Sequence, residues 1–285
     1  MKLKDYFRVC IKLLEFFIYP LFIRKVPIIP KTCLIVKLDG FGDYVLFRNF
    51  LYWLRNHSWY KDYKITLIGN IAWAEFAKYF DVDVIDQFIW IDRKRFVYNF
   101  AYRLAKLRNI CKTGYEVVLY PNFLRETLYG DSIVRAVSSP VKIASIGDLE
   151  YRFAIEAYFT NKSYTKLIPV APGVMFEFNR IKEFFSNLSG QKLDNVQLQL
   201  VLKSAPDKFD FPYIVFFVGA SSLNRKWPVC NFLKLAQVLF IKYQTKIVFC
   251  GATTDLFDFE HDQNAGFDSG YMINLIGAKL DKLIK

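Results

Sequence analysis

The stretch that decides the fold runs from Cys33 to Leu46 and reads CLIVKLDGFGDYVL. Cys33 to Leu38 form a short apolar run rich in β-branched residues, the mark of a buried strand. Asp39-Gly40-Phe41-Gly42-Asp43 then breaks the run. Its two glycines let the backbone turn sharply and bring its amides close to a ligand. From Asp43 to about residue 57 the apolar spacing becomes helical. Strand, glycine turn and helix are the opening of a βαβ unit. The turn is not the dinucleotide fingerprint, because Val45 stands where a third glycine is needed, nor a P-loop, because no Lys-Ser/Thr pair follows. Asp43 falls in the first turn of the helix and reads two ways. It is an N-cap accepting a bond from an exposed amide, or a general base at the C-terminal edge of a parallel sheet, where such folds bind ligands.

Outward from this unit the alternation continues. Strands are expected at 32–38, 63–69, 82–91, 115–120 and 141–146, with helical patterns at 43–57, 71–80, 95–110 and 124–138. Such spacing predicts a parallel sheet in an α/β domain covering 31–190, ending in a helix near 174–188. Residues 191–212 are polar and are expected to be a linker. The pattern then restarts, with strands at 213–218, 245–250 and 271–276 and a helix at 228–243, giving a second domain over 213–285. The final GAKLDKLIK reads as the entry to another helix, so this second domain is expected to be incomplete.

A second loop, Gly219-Ala220-Ser221-Ser222-Leu223-Asn224-Arg225-Lys226-Trp227-Pro228, also follows a strand. Pro228 announces the next helix. Small residues, hydroxyls and two cations at a helix N-terminus suit a diphosphate, which free amides and the helix dipole favour. An ordinary capped loop with solvated cations fits the same residues.

Composition narrows the class. The 285 residues are 53% hydrophobic and 23% charged, with 13 Gly and 10 Pro, which excludes a disordered or collagen-like chain. Five cysteines without a CxxC pair read as reduced, mostly buried thiols. Two histidines without ligand partners make a zinc site unexpected.

Charge is uneven. Residues 1–110 hold 19 Lys/Arg against 10 Asp/Glu, out of a net +12 for the chain. A face of the first half should attract anions. Arg93 to Arg108 contribute six cations and no acid, either a solvated helix face or a surface for an anionic membrane or acceptor. Residues 1–30 show an amphipathic helix, with Lys4, Arg8, Lys12 and Glu15 on one side and Phe7, Cys10, Ile11, Leu14, Phe17 and Ile18 on the other. Val9 to Ile23 is too short and interrupted to span a bilayer, and no small-residue cleavage site marks a signal peptide. This segment lies in a membrane surface or packs on the domain.

Taken in order, these elements resemble glycosyltransferase family 9, the heptosyltransferase type of lipopolysaccharide core biosynthesis. The matches are CLIVKLDGFGDYVL at 33–46, the strand with Gly-Ala-Ser and Lys-Trp-Pro within 213–240, IVFCGATTD at 247–255 and NLIGAKL at 274–280. The resemblance covers 31–285. It implies the GT-B architecture, two Rossmann-like domains with the active site in the cleft between them. It implies inverting, metal-independent transfer of a heptose or related sugar from a nucleotide-diphosphate donor, ADP-heptose-like, to a lipopolysaccharide-core or other surface-glycan acceptor. No cofactor is implied. Asp43 then matches the general base, while retaining a capping role, and Lys37 a cleft-facing lysine of the same loop. Gly40 and Gly42 shape that loop. Gly219, Ser221, Ser222 and Lys226 match donor-diphosphate positions. Asp255 falls near an acidic ribose-binding position, with Asp in place of Glu. Acceptor binding is expected mainly on the basic first domain, with the enzyme peripheral on the inner face of the cytoplasmic membrane.

Two rivals stand beside this expectation. One is an inactive or truncated relative acting as a sugar-nucleotide or membrane-surface binding module. The other, a basic nucleic-acid binder, lacks any helix-turn-helix, zinc-finger or aromatic RNA-binding motif.

Overall fold

The computed structural model describes residues 3–149, 152–202, 209–220, 222–260 and 270–279, with side chains of 3–5, 223 and 257–260 left out. By its internal contacts the chain forms two compact units, divided between Leu200 and Val201.

The first unit opens with α1 (Leu3–Ile18) and a short 3₁₀ turn, followed by β1 (Ile28–Lys37), α2 (Phe41–Phe47), α3 (Asn49–Asn56) and β2 (Lys64–Asn70). Then come α4 (Ala74–Phe80), β3 (Gln87–Ile91), α5 (Arg93–Tyr98), α6 (Phe100–Ile110) and β4 (Gly114–Tyr120). A π turn, α7 (Ser132–Ala136), β5 (Val141–Ser145), α8 (Ala154–Asn161), β6 (Lys166–Ile168) and α9 (Glu177–Ser189) complete it. The six strands pair in parallel in the order β3-β2-β1-β4-β5-β6. The order reverses beside β1, so the loop after β1 sits at the topological switch point, where open α/β sheets bind ligands.

Both faces of β1 are buried, as a parallel sheet requires. Leu34, Val36 and Leu38 pack into a core with Ile68, Val118, Phe96, Leu107 and Ile133. By strand alternation Cys33, Ile35 and Lys37 lie on the other face. There Lys37 meets the Phe47 ring of α2, and Phe47 and Phe50 in turn meet Phe185 of α9. Lys37 is thus buried by the strand register itself.

Several expected elements are divided or shifted. The helix expected at 95–110 is two helices, because Asn99 ends α5 and caps α6 through the Tyr102 N–H. The helix expected at 43–57 changes course at Arg48. The strand expected at 82–91 begins only at Gln87, since Val84 and Ile85 bond back to the Asp81 carbonyl in a turn. α8 and the three-residue β6 were not foreseen in the polar stretch between 147 and 168.

α1 docks through a mixed face, Val9 and Phe16 together with Lys12 and Glu15, while Arg8 stays exposed. Val9 and Phe16 are buried, Lys12 lies 3.4 Å from Glu156, and Glu15 pairs with Arg103. Arg103 also donates to the Tyr19 hydroxyl at 2.6 Å, and Arg108 donates to the Phe22 carbonyl. The predicted apolar side, Phe7, Ile11, Leu14 and Phe17, continues into Leu21 and Phe22 and faces outward. Among the described residues, no helix is long and apolar enough to cross a membrane.

The second unit holds β7 (Tyr213–Phe217), α10 (Val229–Tyr243), β8 (Lys246–Gly251), α11 (Thr253–Glu260) and β9 (Met272–Ile276). Its strands are parallel in the order β7-β8-β9, with Phe216, Ile247, Phe249 and Ala236 in the core. Cys33, Cys111 and Cys250 are buried free thiols, and Cys10 and Cys230 are exposed.

Candidate active site

Each unit carries a cluster at the C-terminal end of its first strand. In the first unit, Lys37 is the last residue of β1 and Gly40 is the N-cap of α2. Asp43 is therefore the third helical residue rather than the N-cap. Its Oδ2 accepts the Gly40 N–H at 3.2 Å, the reaching-back half of a capping box. The bond fixes the carboxylate at the helix N-terminus, and Oδ1 has no hydrogen-bond partner among the described residues. Gly42 borders open space, with no atom within 4 Å of where a Cβ would stand.

Asp39 anchors the turn. Its carbonyl accepts from Asn70 at 3.3 Å and from the Trp73 indole at 3.1 Å, and its Oδ1 accepts from Asn122 at 2.8 Å. The fully buried Lys37 ammonium lies 2.6 Å from Asp39 Oδ2 and 3.9 Å from Glu177 Oε1, as charge contacts rather than aligned hydrogen bonds. One buried cation thus faces two partly exposed carboxylates. Burial holds the Glu177 carboxyl above the ordinary carboxylate range; Lys37 and Arg180 oppose this shift, while Asp39 and Asp43 add to it. Glu126, from the loop after β4, is likewise raised by burial, against the pull of its partner Arg93.

Glu177, in the first turn of α9, escaped the sequence reading because it lies 134 positions beyond Asp43 in an unremarkable FEFNR context. Its only sequence signal was an acid at a helix start. It lines a cavity of about 550 Å³ formed by the loops after β4, β5 and β6.

Much of the basic balance of residues 1–110 is spent away from this edge, where Lys37 and the Glu126-paired Arg93 remain. Arg48 is buried against Asp81 at 2.7 Å, Arg55 pairs with Asp86, and Arg103 with Glu15. The groups gathered around the turn after β1 are mainly acids.

In the second unit, Gly219 follows β7, and Ser222 is exposed. Pro228 is the N-cap of α10, so the helix starts at Val229. Ser221 lies outside the described residues. Lys226 Nζ contacts Asp255 Oδ1 at 2.8 Å, while Asp255 Oδ2 accepts the Ala252 N–H at 2.9 Å. Asp255 is buried under the loop, and a Cβ at Gly219 would stand 2.5 Å from its carboxylate. Only glycine permits that approach. Both Asp255 oxygens are engaged, so in this arrangement the residue orients Lys226.

No protein-family description matches the sequence, and no curated protein matches it closely enough to count. Solved structures do. The chain is similar to a glycosyl transferase family 9 structure from Veillonella parvula, with TM-score 0.63, 18% identity, and coverage of 90% of this chain and 72% of that one. It is similar to E. coli heptosyltransferase WaaC with ADP-2-deoxy-2-fluoro heptose, with TM-score 0.65, 17% identity, and coverage of 88% and 78%. It is also similar to E. coli ADP-heptose lps heptosyltransferase II, with TM-score 0.55, 12% identity, and coverage of 88% and 74%. At these identities the likeness is one of fold, and the α/β fold of this chain is that of GT-B heptosyltransferase structures.

Proposed function

We propose that the chain is a glycosyltransferase that moves a heptose or related sugar from a nucleoside-diphosphate donor to a hydroxyl of a lipid-linked surface glycan, such as a lipopolysaccharide core. The observation that carries this reading is Asp43, tethered through one oxygen to Gly40 at the switch point of a six-stranded parallel sheet. The similar fold of WaaC, solved with an ADP-sugar analogue, supports it.

Asp43 Oδ1 takes the proton of the acceptor hydroxyl as its oxygen attacks the anomeric carbon. Attack opposite the leaving diphosphate inverts that carbon, through an oxocarbenium-like state. Lys37 holds Asp39 and keeps the turn charged and fixed. In the second unit, Lys226 turns from Asp255 to the diphosphate, with the amides near Gly219 and Ser222 adding donors for the developing charge. These groups supply the positive charge, so the reaction is proposed to need no divalent metal. Asp255 holds Lys226 ready, and its ribose contact is secondary.

The outward stripe of α1 supports a peripheral location on the cytoplasmic membrane face. Phe7, Ile11, Leu14, Leu21 and Phe22 are exposed, as are Arg8, Arg24 and Lys25, the pattern of an interfacial helix.

The test is incubation of the chain with ADP-heptose and other nucleotide sugars, with core-type glycan acceptors and excess EDTA. Glycan mass spectrometry is expected to show one added sugar per acceptor. Donor binding with no turnover across the panel would instead mark a binding module.

A further inference from the structure

We propose that the cavity beside Glu177 seats the acceptor's sugar ring and selects an uncharged, hydroxyl-rich pyranose over a phosphorylated or carboxylated one. This rests on the glycosyl-transfer reading and names the acceptor class for it.

The cavity, about 550 Å³, falls within the roughly 300–1,000 Å³ typical of small-molecule sites. Phe123, Leu124, Ile146, Val170 and Met175 give it apolar walls of the kind that pack against the C–H face of a sugar. Its one guanidinium, Arg180, is spent on the wall. Arg180 donates to the Ala171 carbonyl at 3.1 Å and the Gly173 carbonyl at 2.6 Å, and its guanidinium carbon lies 3.6 Å from the Phe123 ring centre. It is buried, and these contacts fix the loop between β6 and α9.

The remaining charged walls are Glu177 and Asp148. An ionised carboxylate only accepts hydrogen bonds, which suits sugar hydroxyls as donors. A phosphate or carboxylate in the same place meets Glu177, Asp148, Asp39 and Asp43 against the two cations Lys37 and Arg180, so like charge is in excess. Glu177 also links the cavity to the base: it touches Lys37, which holds the Asp39 turn that leads into Asp43. Asp43 lies close enough to act on the Glu177 charge, and a hydroxyl held at Glu177 is the one assigned to it for deprotonation. Of the cations expected to choose an anionic acceptor, Arg93 is paired with Glu126 and Arg103 is buried against Glu15.

The chain has three methionines, Met1, Met175 and Met272, so a ¹³C-methyl methionine spectrum carries a reporter inside the cavity and a control in the second unit. The probes are methyl heptopyranoside, glucopyranoside and galactopyranoside, with the 6-phosphate and the uronate of the latter two. The expected result is a saturable shift of Met175, with Met272 still, for at least one uncharged glycoside. Its charged counterpart should bind at least about tenfold more weakly. Glu177→Gln should weaken the uncharged glycoside and shrink the discrimination to under about threefold. Equal or tighter binding of a phosphate or uronate, or a Met175 signal unmoved by every uncharged glycoside, overturns the proposal. The readout needs no donor. Transfer without a Met175 response would remove the cavity assignment alone. A Met175 response without transfer to any acceptor would remove the glycosyltransferase reading.

Discussion

Replacing Phe7, Leu14 and Leu21 together by glutamine tests how the chain meets a membrane. The three side chains are 67%, 59% and 80% exposed and lie along the outward side of α1 and the turn after it. Together they offer the equivalent of about two whole apolar side chains, and burying each is worth about 1.5–3 kcal/mol. The triple variant should therefore lose roughly 3–6 kcal/mol of partition energy, a fall of at least about a hundredfold. Neighbouring Arg8, Arg24 and Lys25 add about 1 kcal/mol each near an anionic surface, a part that salt screens. The assay is co-sedimentation with phosphatidylglycerol-containing vesicles at low and high salt. Because the side chains point away from Val9, Phe16 and the Glu15–Arg103 pair, the melting temperature should stay close to that of the parent. Partition within twofold of the parent, in a folded variant, would refute the assignment of this face to lipid.

Other outcomes follow from the charge clusters. Lys226→Ala should weaken ADP binding by about ten- to a hundredfold, the worth of one charge-assisted hydrogen bond, and Asp255→Asn should weaken it less, by freeing Lys226 from its holder; calorimetry reads both. Glu177→Gln should raise stability at neutral pH. The folded-state carboxyl lies above its unfolded value, so its ionised form disfavours the fold at high pH, and this penalty disappears as pH falls below the unfolded value. Urea midpoints of parent and variant should therefore converge in acid, and a gap that widens there would contradict the assigned burial. Asp81→Asn should cost about 3–5 kcal/mol by stranding buried Arg48, and the Arg48→Met/Asp81→Leu/Tyr44→Phe triple variant, which also removes the buried hydroxyl that Asp81 accepts, should restore most of it.

Much of the fold was legible because parallel strands buried on both faces read as continuous apolar runs. CLIVK, KITLIG and YEVVLY each lie on an observed strand. Helix interruptions were less legible. Asn99 caps α6 by a side-chain bond that a helical period does not reveal. The candidate site was legible where a motif is local: the Gly40–Asp43 turn and the Gly219–Lys226 loop both stand at strand ends, as expected. Glu177 was not, because only the packing of α9 against α2 brings it to Lys37. Net charge is a coarse guide for the same reason. It counts Arg48, Arg55 and Arg103 as attractors, although the fold spends them on Asp81, Asp86 and Glu15.

The central claim is that Asp43 is the base of a glycosyl transfer, and Asp43→Asn tests it most directly. Asparagine can still accept the Gly40 N–H, so the turn and helix should survive, but it cannot take a proton. The measurement is single-turnover sugar transfer, with ADP affinity followed in the same preparation. Transfer slowed by about a hundredfold or more, with ADP affinity within about twofold of the parent, is the predicted result. Transfer at a rate close to the parent's would contradict it.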